Sequence, residues 1–551
     1  MKHSSELGSI LKSKIALLPK SIERFGWARS AAVFSSIALV SLVAVRLYYS
    51  LVTGYMLPDE SYYYDTFVLD KVPLSLYRPF FQIVFLLFFH GTNGMFQLFL
   101  RGALYSAIWA VGCVFVLYKI LRVLAVPDKP LALVLISLPL FPVFTVMALF
   151  FVTETLGLFL ALAGILFSAR YVKGNKLTDV FISAVFFVLA YEVREPYLLL
   201  ALGNFFVLLL VNRRLKALVV YALVVSLVIP VPASLSPITI TQPVSNFLFF
   251  TVPHYLSGLH PSIQTGTPGS PNPSTNATAP ATAPTHVTTI PVVLSWNEIV
   301  DSIFGIFYGF GPLFAIFVPF SLLLTFKNRS SLAVFVLLTM LLALTTFLIS
   351  SDLTATGLYS GLGKWGSDVV RLTSTAVPVL VGFGYFYSKV KTRYLLVLLL
   401  LYIVLGSALL PQLGTVLQSS QNTTGQPIDR LSFDYRAPYY RMYLIAGNNS
   451  GRTLVIGGVE MRGIRVFMSM LPNVILTGIP QTQKQLNSLL NQSWSAVYLY
   501  DDYITIFSPQ LVSGYPAYYQ HVVLSHSYDG FAIQPLWVDG ESYALKLVRQ
   551  G

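Results

Sequence analysis

Residues 31–53 read AAVFSSIALVSLVAVRLYYSLVT and run directly into GYMLPDE at 54–60. The first stretch is apolar over the length that a helix needs to cross the hydrocarbon core of a bilayer, roughly 17–25 residues. One arginine, Arg46, interrupts it, and two carboxylates, Asp59 and Glu60, stand immediately beyond its end. A helix that crosses a membrane and delivers acidic groups to the far edge sets the frame for the rest of the chain.

Comparable runs recur near 102–122, 130–150, 151–170, 177–193, 196–211, 217–234, 302–324, 331–350, 371–388 and 394–411. By the same length criterion the sequence predicts about eleven crossings, the fold class of an α-helical polytopic membrane protein. Composition agrees, because 551 residues with 55% hydrophobic and only 11% charged side chains are too apolar for a water-soluble globule. The first run is longer than the apolar part of a signal peptide and follows about thirty basic and polar residues, so it reads as a retained anchor. The single cysteine, Cys113, lies in an apolar run, which excludes an intrachain disulfide and any multi-cysteine metal site.

The net charge of +13 would suit a nucleic-acid partner, but the positions of the charges exclude one. With the N-terminus inside, residues 1–30 and the short inner turns hold 20 of the 36 Lys and Arg and four of the 23 acids, namely Glu6, Glu23, Asp128 and Asp179. That asymmetry is the positive-inside signature of topology. It predicts a multi-pass protein of the plasma membrane with a cytoplasmic N-terminal segment (1–30), a transmembrane domain (31–411) and an extracytoplasmic domain (412–551).

Two external loops follow from this topology, 54–101 and 235–301. The first contains a short apolar stretch at 80–89, expected to lie at the membrane interface. The second contains 261–291, rich in Pro, Ser and Thr and without a charge, expected to be flexible. Sequons at Asn276, Asn422, Asn448 and Asn491 fall outside and one at Asn328 inside. The tail alternates strand-like runs at 453–456, 474–477, 496–500, 503–507 and 542–548 with a helical stretch at 482–490, which predicts a small α/β domain. The pair Asp501-Asp502 is expected in a turn between strands.

The chemistry gathers at the outer boundary. Asp59, Glu60 and Asp65 follow the first span; Thr153-Glu154 heads the fourth; Glu192, Arg194 and Glu195 lie between the fifth and sixth; Arg371 opens the tenth; Arg78 and Arg101 flank the interfacial stretch. Ionisable groups at membrane depth face a cavity or a pathway more often than lipid. Carboxylates serve as bases or cation ligands, and guanidiniums grip phosphate in a bidentate way. Together they suit work on a phosphate-bearing lipid.

The ordered set (Arg46, Asp59-Glu60, Arg78-Pro79, Gly94, Arg101, Thr153-Glu154, and Arg371 seven residues before Pro378) resembles the GT-C glycosyltransferases, the broad group of the protein O-mannosyltransferases and the lipid A aminoarabinose transferase. The resemblance covers 31 to about 390. It departs from the group at Tyr77-Arg78-Pro79, where His-Pro-Pro is usual, and lacks the Trp-Trp-Asp motif of oligosaccharyltransferases, which favours transfer of one sugar over transfer of a whole glycan. It implies a polyprenyl (dolichyl or undecaprenyl) phosphate sugar donor, a protein, lipid or glycan acceptor, and inversion at the anomeric carbon. It further implies Asp59 as general base, with Glu60 and Glu154 shaping the site, or the three carboxylates holding a divalent cation such as Mg2+ or Mn2+. Arg194, Arg371, Arg78 and Arg101 would bind the lipid phosphate. A membrane transporter and a non-catalytic polyprenyl-glycan binding protein remain the alternatives, though a transporter commonly shows repeated halves and no internal repeat is visible.

Overall fold

The computed structural model describes residues 26–56, 58–71, 79–140, 142–194, 197–212, 214–228, 322–327, 330–352, 378–382, 384–386, 388–389, 437–457, 462–501, 516–525, 527–528, 530–539 and 542–550. The expected N-terminal segment up to residue 25, the second external loop with its 261–291 stretch, the eleventh span and residues 412–436 lie outside that set. So do Arg78, Arg371 and the strand expected at 503–507.

The chain opens with α1 (Trp27–Thr53), then α2 (Pro58–Tyr64), which runs without interruption into a π-helical turn, Asp65–Leu69. Next come α3 (Pro79–Phe89), α4 (Met95–Val123), α5 (Asp128–Ser137) and α6 (Pro142–Ala148), followed by α7 (Thr153–Gly174), α8 (Leu177–Val193), α9 (Tyr197–Asn212), α10 (Leu215–Val228) and α11 (Ser331–Asp352). Among the described residues, α1, α4 and α7 are long and apolar enough to cross a membrane. The run at 130–150 is not one helix: α5 ends at Ser137, a 3-10 turn spans Leu138–Leu140, and α6 restarts at Pro142. Pro139 and Pro142 account for the break, since each lacks an amide donor and crowds the preceding turn.

Helix α7 is the hub, buried along most of its length between α4, α8 and α9. Small residues let its neighbours close on it. A Cβ at Gly164 would collide with the Phe187 ring of α8, and one at Gly102 of α4 with Phe151, just before α7. Ser183 donates to the Gly164 carbonyl at 2.8 Å and contacts Ser168 at 2.7 Å, a polar tie inside an apolar bundle. Helix α3 buries Phe81, Val84, Phe85 and Phe89 and leaves Ile83 and Leu87 exposed, so one face packs and the other looks outward.

The C-terminal part contains α12 (Pro438–Gly447), β1 (Thr453–Gly457), α13 (Arg462–Met468), β2 (Val474–Gly478), α14 (Gln483–Leu490), β3 (Ala496–Asp501), α15 (Ala517–Ser525), β4 (Ser527–Tyr528), β5 (Phe531–Asp539) and β6 (Ser542–Arg549). The strands form one six-stranded sheet, order β2-β1-β3-β6-β5-β4, with β2, β1 and β3 parallel and the rest antiparallel. Strand alternation sorts the side chains: Leu454 and Ile456 pack with Leu486, Leu490 and Tyr519 of α14 and α15, whereas Val455 packs with Met442, Ile464 and Met468 of α12 and α13. Asp501 is not in a turn. It is the last residue of β3, opposite Tyr543 of β6, and is buried.

Candidate active site

Glu60 sits in α2 with 1% of its surface exposed, a position an ionised carboxylate holds only with partners. It has two. The Arg46 guanidinium of α1 donates to its Oε2 at 3.4 Å, and the Phe151 amide donates to its Oε1 at 3.0 Å. Arg46 also donates to the Tyr55 carbonyl at 3.0 Å and lies over the rings of Phe150 (4.6 Å) and Tyr55 (5.4 Å). An arginine inside a span is thus compensated by a carboxylate, a carbonyl and two aromatic faces.

The Phe151 contact matters for assembly. Phe151 lies just before α7, whose first turn carries Thr153 and Glu154. Through it, the Asp59-Glu60 segment and the Thr153-Glu154 segment, far apart in sequence, meet at one end of the bundle. Glu154 is 3% exposed, accepts from the Thr153 hydroxyl at 3.0 Å, and forms an ion pair with Arg194, the residue that ends α8. Arg194 therefore pairs with the carboxylate of α7; its sequence neighbour Glu195 is outside the described residues. Its side chain keeps 22% of its surface exposed.

Arg101, in the second turn of α4, donates to the Phe88 carbonyl (3.3 Å), the His90 carbonyl (2.7 Å) and the Thr92 hydroxyl (3.2 Å). It closes the C-terminal end of α3 and the turn after it, where helix carbonyls have no partner of their own. The backbone of Asp59 lies in the first turn of α2, next to Glu60; its side chain, like Arg78 and Arg371, is outside the described residues.

Among the described residues no three His, Cys, Asp or Glu side chains come together as a metal-binding group. Glu60 and Glu154 each face a guanidinium, so neither offers a cation an uncompensated negative charge. Sequence reading noticed Arg46 without its partner and gave no role to the Phe151 amide. Arg46 carried a signal, as a lone charge within a span; a backbone donor leaves none.

The segment after α1 also meets the C-terminal part. Arg465 of α13 donates to Asp65 Oδ2 at 3.1 Å and to Asp70 Oδ2 at 3.2 Å. The hydrogen bonds to Asp70 and the charges of both carboxylates raise its already high pKa, so it stays cationic.

No family model matches the chain, and no curated protein does. Solved structures do. The crystal structure of ArnT from Cupriavidus metallidurans bound to undecaprenyl phosphate aligns with a TM-score of 0.51 at 12% identity, covering 93% of this chain and 97% of that one. Its apo form gives 0.50 and 12%, covering 94% and 98%. The apo oligosaccharyltransferase of Archaeoglobus fulgidus gives 0.46 and 11%, covering 95% and 74%. At such identities the likeness is one of fold: the chain is mostly helical and shares the GT-C fold of ArnT over nearly its whole length.

Proposed function

We propose, with the GT-C fold as premise, that this chain is a membrane glycosyltransferase. In this reading it moves one sugar from a polyprenyl (dolichyl or undecaprenyl) phosphate to a protein, lipid or glycan acceptor on the outer side of the plasma membrane. Residues 1–30 are cytoplasmic, 31–411 form the bundle of about eleven spans, as the length of a crossing helix implies, and 412–551 form an extracytoplasmic α/β domain. The observation that carries the reading is the meeting of Glu60 with Phe151, which joins the two acidic segments to two arginines at one end of the bundle.

Asp59 acts as general base. It takes the proton of the acceptor hydroxyl as that oxygen attacks the anomeric carbon; the bond from this carbon to the phosphate oxygen breaks, and polyprenyl phosphate leaves with inversion. Glu60 and Glu154 do not take protons. They hold Arg46 and Arg194 in place, and a guanidinium fixed in advance stabilises developing charge without reorganising. Arg194 and Arg371, with Arg78 and Arg101, contribute the positive field around the leaving phosphate.

The test is transfer by the purified protein in nanodiscs, offered a panel of labelled polyprenyl-phosphate sugars. One donor should support turnover, and Arg371→Ala should weaken donor use by about 2–4 kcal/mol, the size of a lost oxyanion contact. Lysine at that position should restore charge but not the planar fork. No transfer from any donor by folded wild-type protein overturns the assignment.

A further inference from the structure

The helix that carries Asp59 and Glu60 is gripped at both ends by residues 383 to 400 positions further along the chain. At its entry the Thr53 carbonyl accepts from the Ala437 amide at 2.9 Å, and the Met56 amide donates to the Tyr439 hydroxyl at 2.8 Å. Between them Gly54 takes a left-handed conformation (φ 69) directly beneath the Tyr440 ring, which leaves no room for a Cβ. At its exit Arg465 reaches the two aspartates at the ends of the π-helical turn, Asp65 and Asp70.

The mounting of Arg465 is stiff. Its neighbours on α13, Ile464, Val466 and Phe467, are fully buried, and the Phe467 ring lies 6.3 Å from that of Phe99 on α4. The two halves of its contact differ in weight. Asp70 is 42% exposed, and an ion pair open to water contributes little. Asp65 is 9% exposed, so its half is screened far less by water. Because α2 passes into the π-helical turn without a break, a force at Asp65 is felt along the helix as far as Asp59.

We infer that Arg465 is a positioning residue: through Asp65 and Asp70 it sets the pitch of α2 and so the placement of Asp59, which makes the C-terminal domain a working part of the transfer site. The inference rests on Asp59 being the base. A small rotation of α2 displaces the base from the acceptor hydroxyl while leaving Arg194 and Arg101, which are held by Glu154 and by the turn after α3, where they are. Turnover is then lost without loss of donor affinity.

The experiment uses the full chain in nanodiscs with Arg465→Ala, Arg465→Lys, and the reversed pair Arg465→Asp with Asp70→Arg. Amide hydrogen exchange over residues 58–70, the thermal midpoint, kcat and the donor KM are measured for each. Arg465→Ala should speed exchange over 58–70 and lower kcat on the order of 10–100-fold, as misplacement of a reacting group by about an ångström does. The donor KM should stay within about twofold, as expected when only the transition state is affected. Lysine should restore part of kcat, and the reversed pair, which sets a second carboxylate against Asp65, should do no better than Arg465→Ala. Unchanged exchange, unchanged kcat, or a kcat that falls only in step with the thermal midpoint overturns the proposal. If the wild-type chain transfers no sugar, the activity assignment fails by itself. Exchange then still decides the latch: faster exchange over 58–70 in Arg465→Ala retains the mechanical coupling, and unchanged exchange refutes it.

Discussion

Removal of the Glu60 carboxylate separates its electrostatic role from its hydrogen-bonding role. Glu60→Ala leaves Arg46, 10% exposed, without its counter-charge, and leaves the Phe151 amide without an acceptor. Breaking a buried pair by deleting one partner destabilises by about 3–5 kcal/mol, and an orphaned buried amide adds about 1–3 kcal/mol. The Tyr55 carbonyl and the two rings that flank Arg46 remain, which places the sum toward the lower end of that range. Glu60→Gln keeps an acceptor for Phe151 and loses only the charge, so it should destabilise by about 1.5–3 kcal/mol, the worth of a charge-assisted contact. Adding Arg46→Met to Glu60→Gln removes the stranded cation and should recover much of the loss. The assay is thermal unfolding of the detergent-solubilised chain followed by retained monodisperse protein, read as a double-mutant cycle. Equal midpoints for wild type, Glu60→Ala and Glu60→Gln, or a coupling energy of zero between positions 46 and 60, would refute the paired arrangement.

Arg101→Ala should loosen the turn at 90–94, seen as faster amide exchange there, because three acceptors lose their donor at once; unchanged exchange would deny it the closing role. Thr482 caps α14 by a reciprocal box with Gln485, so Thr482→Ala should lower stability by about 1 kcal/mol, checked by the thermal midpoint.

How far the sequence could be read depended on the range of the interactions. Local patterns were legible: the apolar lengths of α1, α4 and α7, the strand-like runs of β1, β3 and β6, and the helix after Thr482 all follow from local composition and periodicity. The break in the third run was visible only as Pro139 and Pro142 and was passed over, because length and apolarity dominate a span assignment. Asp501 was misplaced since two consecutive aspartates resemble a turn, whereas the register with β6 buries Asp501 opposite Tyr543. Ion pairing was the least legible. Glu154 meets Arg194 and Glu60 meets Arg46 across helices, and Arg465 meets Asp65 across 400 positions of the chain, none of which leaves a local trace. The sequence grouped the charged residues at one boundary; only the fold tells which are neutralised as pairs.

The central claim places proton transfer on Asp59 alone, with Glu60 and Glu154 committed to arginines. The most direct measurement is single-turnover sugar transfer from the polyprenyl-phosphate donor by Asp59→Asn, normalised to folded protein and accompanied by donor binding. The account predicts a fall of about 10²–10⁴-fold in the transfer step, the usual contribution of a general base, with donor affinity nearly unchanged. Transfer at the wild-type rate by the Asp59→Asn chain would contradict it.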